Sequence, residues 1–328
     1  MAALESRRMR AIVSGVMLLV TALCHGADVY PSKSVRVVIP FSPGGTVDLT
    51  GRLMSQQLTE QLGKSFVVDN RTGASGTIAN SIVARATPDG YTLMIMDTST
   101  VIVPGLFKSL PFDVARDFAA ISQIIRAPEA LVVHPLVNVT TLKEFVAQAQ
   151  VNPGKLNYGS AGPGGAIHLS AELFKIAAKV NIVHIPYKGG GEAIAAVLGG
   201  QVQMLLTTIP TVLPHVNTGR VRALAVTTEG NRRSPAMPDV PSMDEAGVQG
   251  MTVYLWFGLV GPANMPRSVV NRLRAEVQKA LAVPELKERF MAAGGEVVGG
   301  TPEEFTALIR SELSRWAGVI KTADIKPE

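Results

Sequence analysis

The sequence predicts an α/β fold of two units, each a mostly parallel sheet flanked by helices. Short apolar strand runs alternate with glycine turns and amphipathic helical patterns along most of the chain. The length, 328 residues, suits about two domains. The composition is 47% hydrophobic but only 5% aromatic, with 31 Gly and 21 Pro. That describes a turn-punctuated chain packed with Val, Ile, Leu and Ala, and it excludes low-complexity disorder and a coiled coil.

Residues 1–26 stand apart from this alternation. Arg7, Arg8 and Arg10 make a positive start, residues 11–23 are apolar, and Gly26 and Ala27 are small. This is the pattern of a secretory signal cleaved after Gly26 or Ala27. The apolar run falls short of the roughly 20 residues that a membrane span needs, so an exported, soluble chain is expected. Cys24, the one cysteine, lies in the signal, which leaves the mature chain without a disulfide, a thiol nucleophile or a thiolate metal ligand. The formal charge of +5 shrinks without the signal to 28 Lys+Arg against 25 Asp+Glu. With no basic run, that balance speaks against nucleic acid as a partner.

The first unit begins with the buried-strand run Val35–Ile39 and the turn PFSPGG. A helical face of Val47, Met54, Leu58 and Leu62 follows and is stopped by Gly63. Residues 66–68 read as a strand, 70–76 as a loop, 78–84 as a short helix, Pro88-Asp89-Gly90 as a turn and 92–96 as a strand. The second unit opens at residues 130–133 with a strand, then a helix whose capping box is Thr141 with Glu144. Next come a strand at 156–158, the glycine loop 159–165, a helix at 167–178, a strand at 182–185 and the loop Gly189-Gly190-Gly191. A helix ended by Gly199-Gly200 and strands at 202–207 and 223–227 complete it. Residues 229–250 are rich in Pro and Gly and read as a connection. Helices are expected to dominate from there on. The last is opened by Thr301-Pro302-Glu303-Glu304 and carries a core stripe of Phe305, Leu308, Ile309, Leu313, Trp316 and Ile320.

Two glycine loops carry the chemistry. Pro43-Gly44-Gly45 and Pro163-Gly164-Gly165 each follow a strand and open a helix. Glycine allows close backbone approach, and the first N–H groups of a helix lack internal partners at the positive end of its dipole. A small anion would settle between two such loops, beyond the carboxyl ends of the strands. Ordinary βα turns without a ligand would read the same way. Asp48 is available either to a ligand hydroxyl or ammonium or to the first turn of its own helix, and His168 either to a ligand or as a structural cap. The Gly164 loop is expected to be a surface connection.

Enzyme signatures fail one by one. Gly63-Lys64-Ser65 lacks the first glycine of a phosphate loop, because Leu58 stands there. Tyr158 stands where a nucleophile elbow at Ser160 needs glycine, and Ile167 replaces the last glycine of GxGxxG. His134, His168, His184 and His215 have no paired ligand spacing. No catalytic residue, metal or cofactor is expected.

Taken in order, PFSPGGTVD, NRTGASGT, ATPDGYTL, LPFD, NPGKLNYGSAGPGG with His168-Leu169, IPYKGGG, LGGQV, MPDVPSMDEAG, WFGLVGPANMP, GGTPEEF and IKTADIKPE resemble the Bug family. These are the extracytoplasmic solute-binding receptors of tripartite tricarboxylate transporters, and the resemblance covers the mature chain. It implies a two-lobed periplasmic binding protein, type II-like, that closes as a venus flytrap on a small carboxylate. Main-chain N–H groups and bridging waters would hold the ligand, and membrane permease subunits would receive it. The resemblance places Phe41, Ser42, Gly44, Gly45, Thr46 and Asp48 on one side of the cleft and Ser160, Ala161, Gly162, Gly164 and His168 on the other. Thr98, Ser99, Tyr187, Gly189 and Thr207 follow strands around the pocket.

The expected lobes are residues 27–126 with 228–328, and residues 127–227, joined at 126–129 and 227–229 in a monomer. Phe41 and Tyr187 are either cleft walls or packing. Where the family has Gly-Gly-x-Val-Asp, this chain has Gly199-Gly200-Gln201-Val202-Gln203, and Gln203 either holds a strand end or alters ligand choice or the hinge. Two alternatives remain. One is an exported enzyme acting on a small carboxylate or phosphate ester, with Asp48 or His168 as acid or base. The other is a receptor presenting its ligand to a signalling partner.

Overall fold

The computed structural model describes residues 30–322. The signal, its cleavage site, Cys24 and residues 323–328 lie outside them. Among the described residues no helix is long and apolar enough to cross a membrane.

Strands and helices alternate from the start: β1 (Val35–Ile39), α1 (Thr46–Leu62), β2 (Phe66–Asn70), α2 (Thr77–Ala84), β3 (Thr92–Asp97) and the short α3 (Thr98–Ile102). β1 pairs parallel with β2 and with β3. α1 buries Val47, Leu53, Met54 and Leu58 against this sheet and ends at Gly63, whose φ of 65° makes the left-handed cap that glycine adopts most readily. β4 (Phe118–Val133) is a single strand of 16 residues. Its first part pairs with β9 in one sheet and its last part with β7 in the other, so one strand threads both lobes.

The second lobe contains α4 (Leu142–Val151), β5 (Asn157–Ser160), α5 (Ala166–Ala178), β6 (Val183–Pro186), α6 (Gly190–Leu198), β7 (Met204–Thr208), α7 (Ile209–Asn217) and β8 (Arg222–Val226). α4 forms the predicted reciprocal cap between Thr141 and Glu144. The chain then returns through β9 (Tyr254–Pro262), α8 (Arg267–Ala282), α9 (Pro284–Ala292), β10 (Glu296–Val297) and α10 (Pro302–Thr322). The strand order is β2-β1-β3-β9-β4-β7-β5-β6, with β8 and β10 also pairing β4.

Several expectations change. Each sheet is mixed, not mostly parallel. β1, β2 and β3 run parallel, as do β5, β6 and β7, but β4 and β9 join them antiparallel. A chain that crosses between lobes on extended strands must reverse direction to come back. The strand read at residues 130–133 is the second-lobe end of β4, which reaches back to Phe118 in the first sheet.

The region after residue 250 is not all helical either, since β9 lies in the middle of the first sheet. Its sequence hides it by including Gly258 and Gly261. A Cβ at Gly258 would stand 2.3 Å from the Phe305 ring, so the glycine lets α10 lie against the strand. Phe305 and Trp316 are buried there as predicted, and Trp316 Nε1 donates to Glu312 at 2.9 Å. The connection after β8 touches both lobes: Arg232 pairs with Glu296 at 3.0 Å in the first, and Met243, Val248 and Met251 enter the second lobe's core of Leu131, Phe145 and Phe174. Thr227 ties the crossing strands together: its N–H donates to Glu129 O and its hydroxyl to Val253 O, at 2.9 and 2.6 Å.

Candidate functional site

The two Pro-Gly-Gly loops are built alike. Gly44 and Gly164 both have positive φ, 91° and 74°. In each loop that glycine's N–H donates to a side chain four residues on, Gly44 to Asp48 Oδ2 at 3.2 Å and Gly164 to His168 Nδ1 at 2.9 Å. The helices that follow, α1 and α5, start on Gly45 and Gly165 without a side-chain cap, and α6 starts the same way on Gly189. Their first N–H groups therefore have no partner within the helix and lie at the positive ends of the dipoles.

These three ends converge between the lobes. A Cβ on Gly45 would lie 3.7 Å from Gly190 Cα. One on Gly191 would stand 1.9 Å from Pro43 O, and one on Gly189 2.4 Å from Ser42 Oγ, so only glycine permits this approach. Hydroxyls lace the gap. Thr46 Oγ1 lies 2.6 Å from Thr208 Oγ1 and 3.1 Å from Thr211 Oγ1, Ser99 Oγ accepts the Ala166 N–H at 3.1 Å, and Ser75 Oγ donates to Pro163 O.

What remains is a partly open cavity of about 30 Å³ lined by Phe41, Gly45, Thr46, Val47, Asp97, Ser99, Ala161, Ala166, Ile167, Gly190, Thr208, Thr211, Leu255 and Phe257. That is room for roughly two water molecules, so the lobes stand closed. A groove of about 340 Å³ lies beside it, sharing Ala161 and lined also by Ser75, Gly162, Tyr187 and Lys188.

Of the residues read from the sequence, Phe41, Gly45, Thr46, Ser99 and Ala161 meet in the cavity, and Gly162 and Tyr187 line the groove. Phe41 is thus a wall of the cavity and Tyr187 a wall of the groove. The others stand behind these walls. Asp48 accepts from Gly44 N, Arg52 Nε and Asn70 Nδ2, leaving it as a clasp for the first loop. Burial pushes its carboxyl up, but the hydrogen bonds from Arg52, Asn70 and Gly44 outweigh that and hold it below the usual carboxylate range.

His168 caps the second loop, and Thr98 Oγ1 accepts the Trp256 N–H at 2.9 Å. Gly189 packs on Ser42, whose hydroxyl is buried without a partner, as is that of Thr207. The Gly164 loop is buried, not a surface connection, because a Cβ there would sit 2.8 Å from Leu106 Cδ1. Gln203 does hold a strand end. Its side-chain oxygen accepts the Asn157 N–H at 2.9 Å, away from the cavity.

Sequence reading missed Asp97, Thr208, Thr211, Leu255 and Phe257. Asp97 had a visible signal, an acid closing the apolar run of β3. Leu255 and Phe257 were hidden with β9.

The structure also brings together a serine and a histidine far apart in sequence. Ser160 Oγ lies 2.6 Å from His184 Nε2. His184 stacks on His168 at 4.1 Å between ring centres and on Tyr158 at 5.0 Å. Burial first, then the neighbouring His168, depresses His184 to about 4. Ser160 is fully buried, its hydroxyl also bonds Gly162, and neither it nor His184 lines the cavity or the groove. The pair fastens β5 to β6.

A family model described as the tripartite tricarboxylate transporter family receptor matches residues 50–325. Among solved structures, the R. palustris protein Rpa4515 with adipate is 35% identical with a TM-score of 0.88, covering 91% of this chain and 100% of that one. The periplasmic binding protein BugD is 32% identical with a TM-score of 0.88 and the same coverages. MatC from Rhodopseudomonas palustris with bound malate is 31% identical with a TM-score of 0.84, covering 89% and 100%. The fold and these relatives are those of solute-binding receptors. With most of its length matched, this chain belongs to the tripartite tricarboxylate transporter receptor family.

Proposed function

We propose that the protein is an extracytoplasmic receptor that captures one small carboxylate between its lobes and delivers it to the permease of a tripartite tricarboxylate-type transporter. The observation that carries this is the cavity at which the uncapped starts of α1, α5 and α6 meet across the lobes. Converging helix starts favour a negative ligand without a charged side chain. Similar receptors hold adipate and malate, which supports a carboxylate here.

Mass spectrometry of the co-purifying small molecule and a thermal-shift screen of mono-, di- and tricarboxylates test the proposal. A specific ligand at 100 times its dissociation constant should stabilise the protein by about 2.7 kcal/mol. No shift across the whole panel would refute it. The close contact of Ser160 with His184 is the one observation on the side of a hydrolase. Turnover of ester substrates that disappears in Ser160→Ala would replace the receptor with that enzyme.

A further inference from the structure

The cavity that suits an anion also contains an acid. Asp97 is the one ionisable side chain among the lining residues, and no Lys, Arg or His faces it there. It ends β3 and caps α3, its Oδ2 accepting the Ser99 N–H at 3.3 Å. Its Oδ1 is buried and has no hydrogen-bond partner. Of the nearby hydroxyls, those of Thr46, Thr208 and Thr211 lie within hydrogen-bond distance of one another, and that of Ser99 accepts the Ala166 N–H.

Burial raises the Asp97 carboxyl to about 6, opposed by hydrogen bonds from Ser99, so near neutral pH the oxygen is mostly negative. A buried acceptor without a donor is costly, and a second negative group brought beside it is repelled. A ligand that brings its own donor relieves both.

We propose that Asp97 sets the ligand class: the carboxylate captured here carries a hydroxyl or ammonium group that donates to Asp97 Oδ1, while its carboxylate lies toward the helix starts. This deepens the receptor assignment and rests on it. A site built to pair a ligand's donor rejects the analogue that lacks it far more strongly than an apolar pocket rejects an extra group.

The test is calorimetry on matched acids of three to six carbons, mono- and dicarboxylic, each unsubstituted, 2-hydroxy and 2-amino. Wild type, Asp97→Ala and Asp97→Asn are compared at about pH 7.5, well above the carboxyl's midpoint. In wild type a hydroxy or amino acid should bind about tenfold or more tighter than its unsubstituted parent, and Asp97→Ala should erase that gap. Asp97→Asn keeps an acceptor and a good cap, so it should fold normally. It should retain a hydroxyl preference and lose an ammonium preference, which tells the two donors apart.

Equal affinity for parent and substituted acids in wild type, or a gap unchanged in Asp97→Ala, would overturn the proposal and leave the receptor assignment standing. Failure of every acid to bind wild type would remove the carboxylate assignment and this inference with it.

Discussion

Replacing Gly191 with alanine adds one methyl group that only the closed cleft resists. The three nearest atoms to a Cβ at this position all belong to the opposite lobe. Pro43 O lies at 1.9 Å, where ordinary contact begins at 3.4 Å, so the lobes would have to part by about 1.5 Å. The clash is between a Cβ and a backbone carbonyl, so no side-chain rotation relieves it. Overpacking of this kind costs about 1–3 kcal/mol, and the rigid contact puts it at the upper end. About 3 kcal/mol corresponds to roughly two decades of affinity. Gly191 has no positive φ and sits in the first turn of α6, where alanine is preferred to glycine by about 0.5–1 kcal/mol. The unliganded variant should therefore melt at or slightly above the wild-type temperature, while calorimetry shows ligand affinity reduced about a hundredfold. Wild-type affinity with a normal melting temperature would refute the claim that the ligand-holding state presses Gly191 against Pro43.

The same kind of argument makes opposite predictions elsewhere. Gly164→Ala should destabilise the protein even without ligand, by about 2–4 kcal/mol in denaturant titration. It forces alanine to a φ of 74° and its Cβ to within 2.8 Å of Leu106. A melting temperature equal to wild type would count against the buried loop.

Glu129, fully buried on β4 where the strand passes between lobes, has no hydrogen-bond partner for either carboxylate oxygen. Burial pushes it from its ordinary 4.5 up to about 8, against a weak opposing pull from Ser170. The folded protein thus keeps this proton longer than the unfolded chain, and stability should fall as pH rises from about 4.5 through 8. Glu129→Gln should melt higher than wild type at about pH 9 and show a flatter profile over that window; the same slope in both would refute the assignment. His184 has the opposite sign. Its depressed folded value near 4 makes stability fall as pH drops from 6.5 toward 4, a loss that His184→Gln should remove. Phe305→Ala should cost about 3–5 kcal/mol, because its ring fills the space left by Gly258 and meets Trp256 edge-on at 5.5 Å. A loss under about 1 kcal/mol would show that the space collapses.

The alternation of glycine turns and apolar runs was enough to read β1, α1 and the parallel pairs, because each of those elements is specified within its own segment. The caps at Thr141 and Thr301 are local too, and both form. What escaped was non-local. β4 looked like one short strand because Pro128 interrupts it and its first half has no turn to mark it. β9 was passed over in a stretch read as mostly helical, because Gly258 answers to Phe305, 47 residues on. In the site, the sequence located the loops but not the division of labour within them. Gly44 and Gly164 are used to fold the loops onto Asp48 and His168, while Gly45, Thr46, Ala166 and Ile167 face the cavity. Nothing in a single sequence separates those roles, since they depend on which N–H each side chain four residues on can reach. Thr208 and Thr211 were out of reach for a similar reason: they matter through Thr46, more than 160 residues away in the chain.

Solution scattering on protein stripped of bound small molecules, without and then with a saturating acid that gave a thermal shift, tests capture between two lobes most directly. Each lobe supplies part of the cavity lining, and the strand crossings near Glu129 and Val253 join them, so an open form should close by a hinge motion. The predicted result is a radius of gyration that falls on binding. An unchanged radius at saturation, with the acid demonstrably bound, would contradict closure of the cleft around its ligand.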